Sequence, residues 1–404
     1  MLITKLSFRA LRLTWMLWAA LLVLPGAGCK SEAAEPTTQP EAPAATYLQS
    51  STLLGEYSTS AVAARVSDIP FVGALAKYPI KVYRLTYRTH DAAGKEVTAS
   101  GALLVPQVAQ ALPLLSYQHG TISPAQEDRA PSYYSSRSEI WSAMSVLAAN
   151  GYIVSAPDYL GYGASKALAH PYEHAATLAS ASADMLRAAR EFCAQQKVTL
   201  NKKNFLLGYS EGGFATMALH KLLEEQHASE FTVTASAPGA GAYHKTAFAK
   251  YILESQEPLD FLSSYVWVLR TYNQVYGLNR PLTYYFNQPY ATQLQSDPFG
   301  NVPKLPAQLF TSQLRTSVLN GTDQVLLAAF QANDIYDWQP KAPLALFHGT
   351  ADDYVPYFNS EDAYKAMQAR GATQVELRPI EGGDHFSSAA TYTLGAYAFI
   401  SQYY

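Results

Sequence analysis

One stretch in the middle of the chain, Phe-Leu-Leu-Gly-Tyr-Ser-Glu-Gly-Gly at residues 205–213, constrains the fold more than any other. An apolar run typical of a strand leads into Gly-x-Ser-x-Gly, and a predicted helix over residues 213–225 follows. The turn in this pattern is so tight that Gly208 and Gly212, on either side of the serine, must lack side chains. It raises the Ser210 hydroxyl above the sheet edge and points free helix N–H groups towards an anion. The pattern predicts a nucleophilic Ser210, and a purely structural turn is the alternative.

Composition describes a globular protein with a large core and a weakly charged surface. Of the 404 residues, 49% are apolar and 15% are charged, which suits one large domain or two smaller ones. The formal net charge is −3 and no run of Lys or Arg occurs, so a nucleic-acid partner is not expected.

The first 28 residues predict an export signal. Three basic residues, Lys5, Arg9 and Arg12, precede an apolar run over residues 13–24 that is too short to span a bilayer. Small residues at 26–28 then stand directly before Cys29, which resembles the lipobox of bacterial lipoproteins. The resemblance implies cleavage before Cys29 and its lipidation, although Gly26 departs from the usual Leu. Ordinary secretion is the alternative.

Residues 29–45 are rich in Glu, Ala, Pro and Thr without periodicity and are predicted to be a disordered tether. The one other cysteine, Cys193, falls in a helical pattern and is interpreted as a small core residue. A lipidated Cys29 would leave no internal disulfide and no thiol-based metal site.

From residue 46 onwards, the pattern predicts one α/β domain. Residues 47–78 are expected to form a short helix and loops. A hairpin is predicted over 80–89 and 96–105, and further strands over 112–117, 152–156, 205–207, 231–235, 344–348 and 374–379. Helices are predicted over 139–149, 173–195, 213–225, 359–369 and 387–402. This alternation indicates a mostly parallel sheet covered by helices on both faces.

The alternation is interrupted between residues 245 and 339. This block has helical patterns, no convincing strand and 16 aromatic side chains. Ligand sites of α/β proteins lie at the carboxyl edge of the sheet, where such an insertion would sit. It is interpreted as a lid that shapes an apolar acyl pocket, and a packing subdomain is the alternative.

A serine nucleophile needs a base and an orienting acid. Only one histidine, His385, follows the strand at 344–348, and it lies in a glycine-bearing loop between the last strand and the last helix. Asp352 and Asp353 both lie in the turn after that strand, and either could orient the histidine. The expected order along the chain is therefore serine, acid, histidine.

These motifs together resemble the α/β-hydrolase fold. The usual sequence pattern of the acid turn in that fold, His-Gly-x-x-Asp-x-x-Val-Pro, matches residues 348–356. The match implies that Asp352 is the acid and that Asp353 is its solvent-facing neighbour. By the same resemblance Asp158 is structural, whereas Asp384, beside the histidine, is interpreted as a residue that fixes its loop. The fold is expected to have a mostly parallel central sheet flanked by helices, with the helical insertion as its lid.

Gln-His-Gly-Thr at residues 118–121 resembles the family's oxyanion loop. The resemblance implies that the backbone N–H groups of Thr121 and Glu211 form an oxyanion hole and that His119 braces the loop. The Gly-Tyr-Ser elbow, the large insertion and its exit at residues 337–340 are most similar to secretory lipases and related bacterial esterases. Trp338, at that exit, is expected to contact substrate.

The sequence thus predicts a carboxylic ester hydrolase with Ser210 as nucleophile, His385 as base and Asp352 as acid. It requires no cofactor and its expected partner is a small-molecule or lipid ester, with membrane contact only through the lipid anchor. A serine peptidase of the prolyl oligopeptidase type shares these residues, although such enzymes usually carry a large N-terminal propeller and only about fifty residues separate Cys29 from the first predicted strand. A catalytically silent, lipid-anchored binding protein is the second alternative.

Overall fold

A computed structural model describes residues 46–404 of the protein. The predicted signal segment and tether, with Cys29, lie outside the described residues. Within 46–404, no helix has both the length and the apolarity that crossing a membrane requires.

Within residues 46–404, nine strands form a single sheet in the order β1-β2-β3-β5-β4-β6-β7-β8-β9. In chain order they are β1 Leu48–Tyr57, β2 Ile80–His90, β3 Glu96–Pro106, β4 Leu112–Gln118, β5 Ile153–Pro157, β6 Leu200–Tyr209, β7 Ala235–Gly239, β8 Leu344–Gly349 and β9 Val375–Ile380. The six strands from β4 to β9 are parallel, and β1 to β3 form an antiparallel edge.

The helices are α1 Thr59–Ala63, α2 Ser145–Ala149, α3 Ala175–Gln195, α4 Glu211–Gln226, α5 Lys245–Glu254, α6 Leu262–Val275, α7 Leu282–Tyr285, α8 Tyr290–Ser296, α9 Pro306–Leu309, α10 Ser312–Leu319, α11 Gln324–Gln331, α12 Phe358–Ala369 and α13 Ser388–Ser401. Strands and helices alternate from β4 to α4 and again from β8 to α13, as the sequence predicts. The expectation of a mostly parallel α/β sheet flanked by helices is confirmed.

Successive residues of the central strands face opposite sides of the sheet and build separate cores. Phe205 of β6 packs in a cluster with α2 and α13, whereas Leu206 packs in a cluster with α3. Strands β4, β5, β7 and β8 are buried along their whole length. Burial on both faces explains why their sequences are apolar or small without alternation.

The edge strand β1 differs from the prediction of a short helix and loops. Eight of its ten residues pair antiparallel with β2, but most of the strand is exposed, so its sequence lacks the apolar alternation of a half-buried strand. The carboxylate of Glu191 on α3 accepts the backbone N–H groups of Thr46, Tyr47 and Leu48 and fixes the start of the strand. A contact from a distant helix thus determines this element.

Strand β7 begins where the predicted strand 231–235 ends. Its Ala-Ser-Ala-Pro-Gly sequence has low strand propensity, but only small residues fit between α4 and α13. A Cβ on Gly239 would lie 2.6 Å from the Tyr392 ring of α13. Helix α3 similarly begins two residues later than predicted, because Glu173 adopts a left-handed φ of 50°.

Residues 245–339, called the insertion below, contain the seven helices α5 to α11 and one isolated bridge between Phe286 and Phe310. Most of their buried apolar side chains belong to one cluster, to which α6 contributes seven residues and which also includes Tyr172. The insertion is therefore a helical region that interrupts the chain between β7 and β8, which are neighbours in the sheet.

Candidate active site

Ser210 lies in a strained turn between β6 and α4. Its φ and ψ are 61° and −125°, a conformation that costs an L-residue roughly 1–3 kcal/mol. A Cβ on Gly208 would lie 2.3 Å from the carbonyl oxygen of Gly212, and a Cβ on Gly212 would lie 2.1 Å from that of Gln118. Backbone atoms therefore exclude any side chain on either side of the serine, as the sequence pattern requires.

A chain of hydrogen bonds joins the three side chains that the sequence analysis singles out. His385 Nε2 lies 2.9 Å from Ser210 Oγ, and His385 Nδ1 lies 2.8 Å from Asp352 Oδ2. Asp352 stands in the turn after β8, where its Oδ1 accepts the N–H groups of Tyr354 and Val355 at 3.0 and 2.8 Å. The neighbouring Asp353 is exposed and takes no part in the chain.

The Asp352 carboxylate is ionised in this environment. Burial alone would raise its pKa, but hydrogen bonds from His348 and His385 outweigh burial and lower the pKa to about 2. An ionised carboxylate only accepts hydrogen bonds, so His385 carries its proton on Nδ1. The Nε2 lone pair then faces the Ser210 hydroxyl, which is the arrangement that general-base catalysis requires.

Aromatic side chains that the sequence analysis did not identify hold the histidine in place. Tyr354 stacks on the His385 ring with centroids 4.8 Å apart and planes at 20°. Tyr209 donates its hydroxyl proton to the carbonyl oxygen of His385 at 2.7 Å. Both residues adjoin predicted site residues along the chain, which is the only signal that could have indicated them.

The loop after β4 lies beside the serine, as expected for an oxyanion loop. A Cβ on Gly120 would lie 3.9 Å from Ser210 Cβ. Within residues 46–404, neither the Thr121 N–H nor the Glu211 N–H donates to another protein group. Glu211 is the first residue of α4, where N–H groups have no partner within the helix. These two donors are available to an anion.

The oxyanion loop is fixed by buried side chains. His119 Nδ1 lies 2.7 Å from the Gly120 carbonyl oxygen, and its Nε2 lies 3.1 Å from that of Asp158. Glu139 accepts the Gly120 N–H at 3.1 Å and the Tyr117 hydroxyl at 2.8 Å, both on Oε2. His119 therefore contacts the loop rather than Ser210, and Glu139 is a contributor that the sequence analysis missed.

Asp158 and Asp384 both accept hydrogen bonds from groups other than His385 and Ser210. Asp158 accepts the Ser132 N–H at 2.7 Å and the Ser100 hydroxyl at 2.5 Å, and it is fully buried. Asp384 accepts the N–H groups of Phe386 and Ser387 in the loop that carries the histidine. Neither carboxylate belongs to the hydrogen-bond chain of Ser210.

A cavity of about 550 Å³ opens at the serine. Its wall combines apolar and aromatic side chains with a few polar groups, a composition typical of small-molecule sites. The lining residues are Tyr117, Gly120, Thr121, Ser123, Gln126, Arg129, Glu139, Ser142, Ala143, Met144, Tyr209, Ser210, Tyr354, His385, Phe386, Ala389, Tyr392 and Thr393. None of them belongs to the insertion, so the expectation that the insertion lines the acyl pocket is not met by this cavity.

Trp338 also lies away from this cavity. It is 3% exposed and its ring meets that of His220 on α4 edge-on, with centroids 5.1 Å apart. This cavity therefore gives no support to the expectation that Trp338 contacts substrate, because the chain turns into the core at this exit rather than towards the serine. In the described part of the chain, no three His, Cys, Asp or Glu side chains cluster as metal ligands would.

Comparisons with known proteins identify a sequence family and similar solved structures. The model of the secretory lipase family matches residues 137–404. A protein of Legionella pneumophila described as a hydrolase superposes with a TM-score of 0.79 at 26% identity, over 88% of this chain and 98% of its own.

The rice cell wall degrading esterase LipA of Xanthomonas oryzae gives a TM-score of 0.75 at 27% identity, over 89% and 97% of the two chains. Candida antarctica lipase A in its closed state, at 17% identity, shares the fold with a TM-score of 0.63, over 88% and 81%. No curated protein sequence matches this chain.

Proposed function

Because this chain belongs to the secretory lipase family and is a carboxylic ester hydrolase, we propose that it cleaves esters through Ser210, His385 and Asp352. The observation that carries the proposal is the hydrogen-bond chain from Ser210 Oγ to Asp352 Oδ2 at the floor of an open cavity. A hydroxyl is a poor nucleophile until a base removes its proton, and this arrangement supplies both the base and the group that orients it.

In the first half of the reaction, Ser210 Oγ attacks the ester carbonyl carbon while its proton passes to His385 Nε2. The carbonyl π electrons move to oxygen, and the N–H groups of Thr121 and Glu211 hydrogen-bond this oxyanion. The intermediate collapses, the bond to the alcohol oxygen breaks, and His385 returns the proton to that oxygen. An acyl-Ser210 ester and a free alcohol result.

In the second half, water attacks the acyl carbon and loses a proton to the same His385 Nε2. The second oxyanion collapses, the Ser210 Oγ–carbon bond breaks, and Oγ regains the proton. A carboxylic acid leaves. Asp352 stays ionised throughout and stabilises the imidazolium that forms twice in each cycle.

The test compares the purified protein with Ser210→Ala on nitrophenyl esters of increasing acyl length, with a nitroanilide peptide as control. We expect turnover of the esters, none of the peptide, and loss of turnover in the variant. A fluorophosphonate probe should label the wild type and not Ser210→Ala. Peptide cleavage would favour the peptidase, and absence of both activities would favour a binding protein.

We also propose that the protein is exported and lipidated at Cys29. The order of basic, apolar and small residues before Cys29 supports lipidation, and membership of a secretory family supports export. Metabolic labelling with a palmitate analogue should mark the wild type and leave Cys29→Ser unlabelled. Equal labelling of the two would refute lipidation and leave the hydrolase proposal intact.

A further inference from the structure

Residues 170–175, His-Pro-Tyr-Glu-His-Ala, form a segment that lies outside the sequence motifs and outside the hydrogen-bond chain of Ser210, His385 and Asp352. The segment precedes and enters α3, and all six residues are buried. Loops are normally on the surface, since a buried loop must find partners for its polar groups. Glu173 also adopts a left-handed φ of 50°, which the surrounding contacts must hold. Those contacts run in two directions.

Towards the serine, the segment bonds to each of the two residues that carry the proposed oxyanion donors. Tyr172 Oη lies 3.0 Å from Thr121 Oγ1. His170 Nε2 lies 2.7 Å from Glu211 Oε1, while its Nδ1 donates to the carbonyl oxygen of Leu160 at 2.7 Å. Both side chains of the His170–Glu211 pair are buried almost completely. One segment thus fixes both sides of the oxyanion hole.

Towards the insertion, the segment is held from both ends of that block. Lys245, the first residue of α5, forms a buried ion pair with Glu173. Near the other end, Asn333 Oδ1 accepts the N–H of Ala175 at 2.9 Å.

Helix α6 supplies the middle of the contact. The Trp267 ring stacks on Tyr172 with centroids 4.4 Å apart and planes at 8°, and the Tyr272 hydroxyl donates to the Glu173 carbonyl oxygen at 2.9 Å. Stacking at this distance restricts the Tyr172 ring, and with it the direction of the hydroxyl that reaches Thr121.

We propose that segment 170–175 positions the oxyanion hole and that the insertion acts on catalysis by holding this segment. Tyr172 and His170 are positioning residues, which act through Thr121 and Glu211 and do not touch the substrate. The inference rests on the proposed function. Oxyanion donors work only within about 2.7–3.1 Å of the charge that develops in the transition state, so a small displacement weakens stabilisation without weakening substrate binding.

The experiment uses Tyr172→Phe and Thr121→Val in the full-length protein. Tyr172→Phe removes the hydroxyl and keeps the ring that stacks on Trp267, whereas Thr121→Val removes Oγ1 and keeps the backbone N–H. We expect each variant to lower kcat on a nitrophenyl ester about 5- to 20-fold, with KM within about twofold. The double variant should be no slower than the slower single variant, because both changes remove the same contact.

A trifluoromethyl ketone provides a second readout, since its adduct with Ser210 carries an oxyanion. Its affinity should fall in parallel with kcat. Trp267→Leu, which releases Tyr172 from the insertion side, should lower kcat and inhibitor affinity in the same way. Tyr134→Phe is the matched control. It removes the hydroxyl of another buried tyrosine, which lies 2.7 Å from Ser145 Oγ, but Tyr134 does not line the cavity. The kcat of this variant should equal that of the wild type.

Wild-type kcat in Tyr172→Phe would overturn the inference, as would losses that multiply in the double variant. A lower melting temperature with unchanged kcat per folded molecule would assign the segment to stability alone. Full ester turnover by Ser210→Ala would instead refute the proposed function, and this inference with it.

Discussion

Replacing Asp352 by Asn tests the proposed mechanism most directly, because the structure dictates how the amide must sit. The N–H groups of Tyr354 and Val355 both point at Oδ1, so the amide oxygen of Asn must occupy that position. The amide NH₂ then replaces Oδ2, 2.8 Å from His385 Nδ1. A donor there can bond only to an Nδ1 without a proton. The proton of His385 would move to Nε2, which could no longer accept one from Ser210.

The size of the loss follows from the same distances. A charge-assisted hydrogen bond contributes roughly 1.5–3 kcal/mol. In addition, the imidazolium loses a counter-charge 2.8 Å away, which at an effective dielectric constant of 20 amounts to about 6 kcal/mol. These two contributions overlap, so they are not added. Because the imidazole would also hold the wrong tautomer, we expect a loss near the larger of the two values, a fall in kcat on the order of 10⁴, equivalent to about 5.5 kcal/mol.

The assay measures kcat and KM on nitrophenyl butyrate, with circular dichroism and thermal unfolding to verify that the variant folds. Asp353→Asn is the matched control, since it makes the same chemical change one residue along, at an exposed side chain outside the chain of hydrogen bonds. Its kcat should stay within about threefold of the wild type. A folded Asp352→Asn that keeps more than about one hundredth of wild-type kcat would refute the assignment of the acid.

Three further predictions follow from the site and its surroundings. The variant Ser210→Ala combined with Asp352→Asn should be no slower than Ser210→Ala alone, because members of a catalytic unit do not contribute additively; single-turnover kinetics would show this. Burial lowers the pKa of His174 to about 4 in the folded protein, whereas an unperturbed histidine has a pKa of about 6.5. As the pH falls from about 6.5 to about 4, the unfolded state therefore binds a proton that the folded state does not. The free energy of unfolding should fall by up to about 3 kcal/mol over that range, and less in His174→Asn, as measured by urea titration. Phe386, which lines the cavity and is 77% exposed, should contact long acyl chains, so Phe386→Ser should raise KM for a decanoate ester and leave an acetate ester unchanged.

The sequence predicts those parts of the site that depend on local backbone geometry. Gly208 and Gly212 are required by one tight turn, and the acid turn at 348–356 follows directly from a buried strand. These constraints act within a few residues, so a single sequence reveals them. The order Ser210, Asp352, His385 then follows from the order of the strands, and the structure brings the three side chains together.

The sequence does not predict features that depend on contacts between distant segments. Tyr172 and Thr121 are 51 residues apart, and nothing local to either residue indicates their hydrogen bond. The burial of Trp338 could not be predicted for a similar reason, because its position after the insertion does not determine whether the chain turns towards the cavity or into the core. Strand β1 was missed because its edge position removes the apolar alternation by which strands are recognised.

The contact between Gly212 and Gln118 has a consequence for how this enzyme could be redesigned. A single methyl group at position 212 would meet the last residue of β4, so it would displace Ser210 and the loop after β4 together. Gly212 is therefore unsuitable for substitution, and new substrate ranges are better sought at side chains that line the cavity. Ser142, Ala143 and Phe386 line the cavity without belonging to the hydrogen-bond chain of Ser210 or to the loop after β4, and libraries built on these positions would keep the chemistry while changing what reaches it.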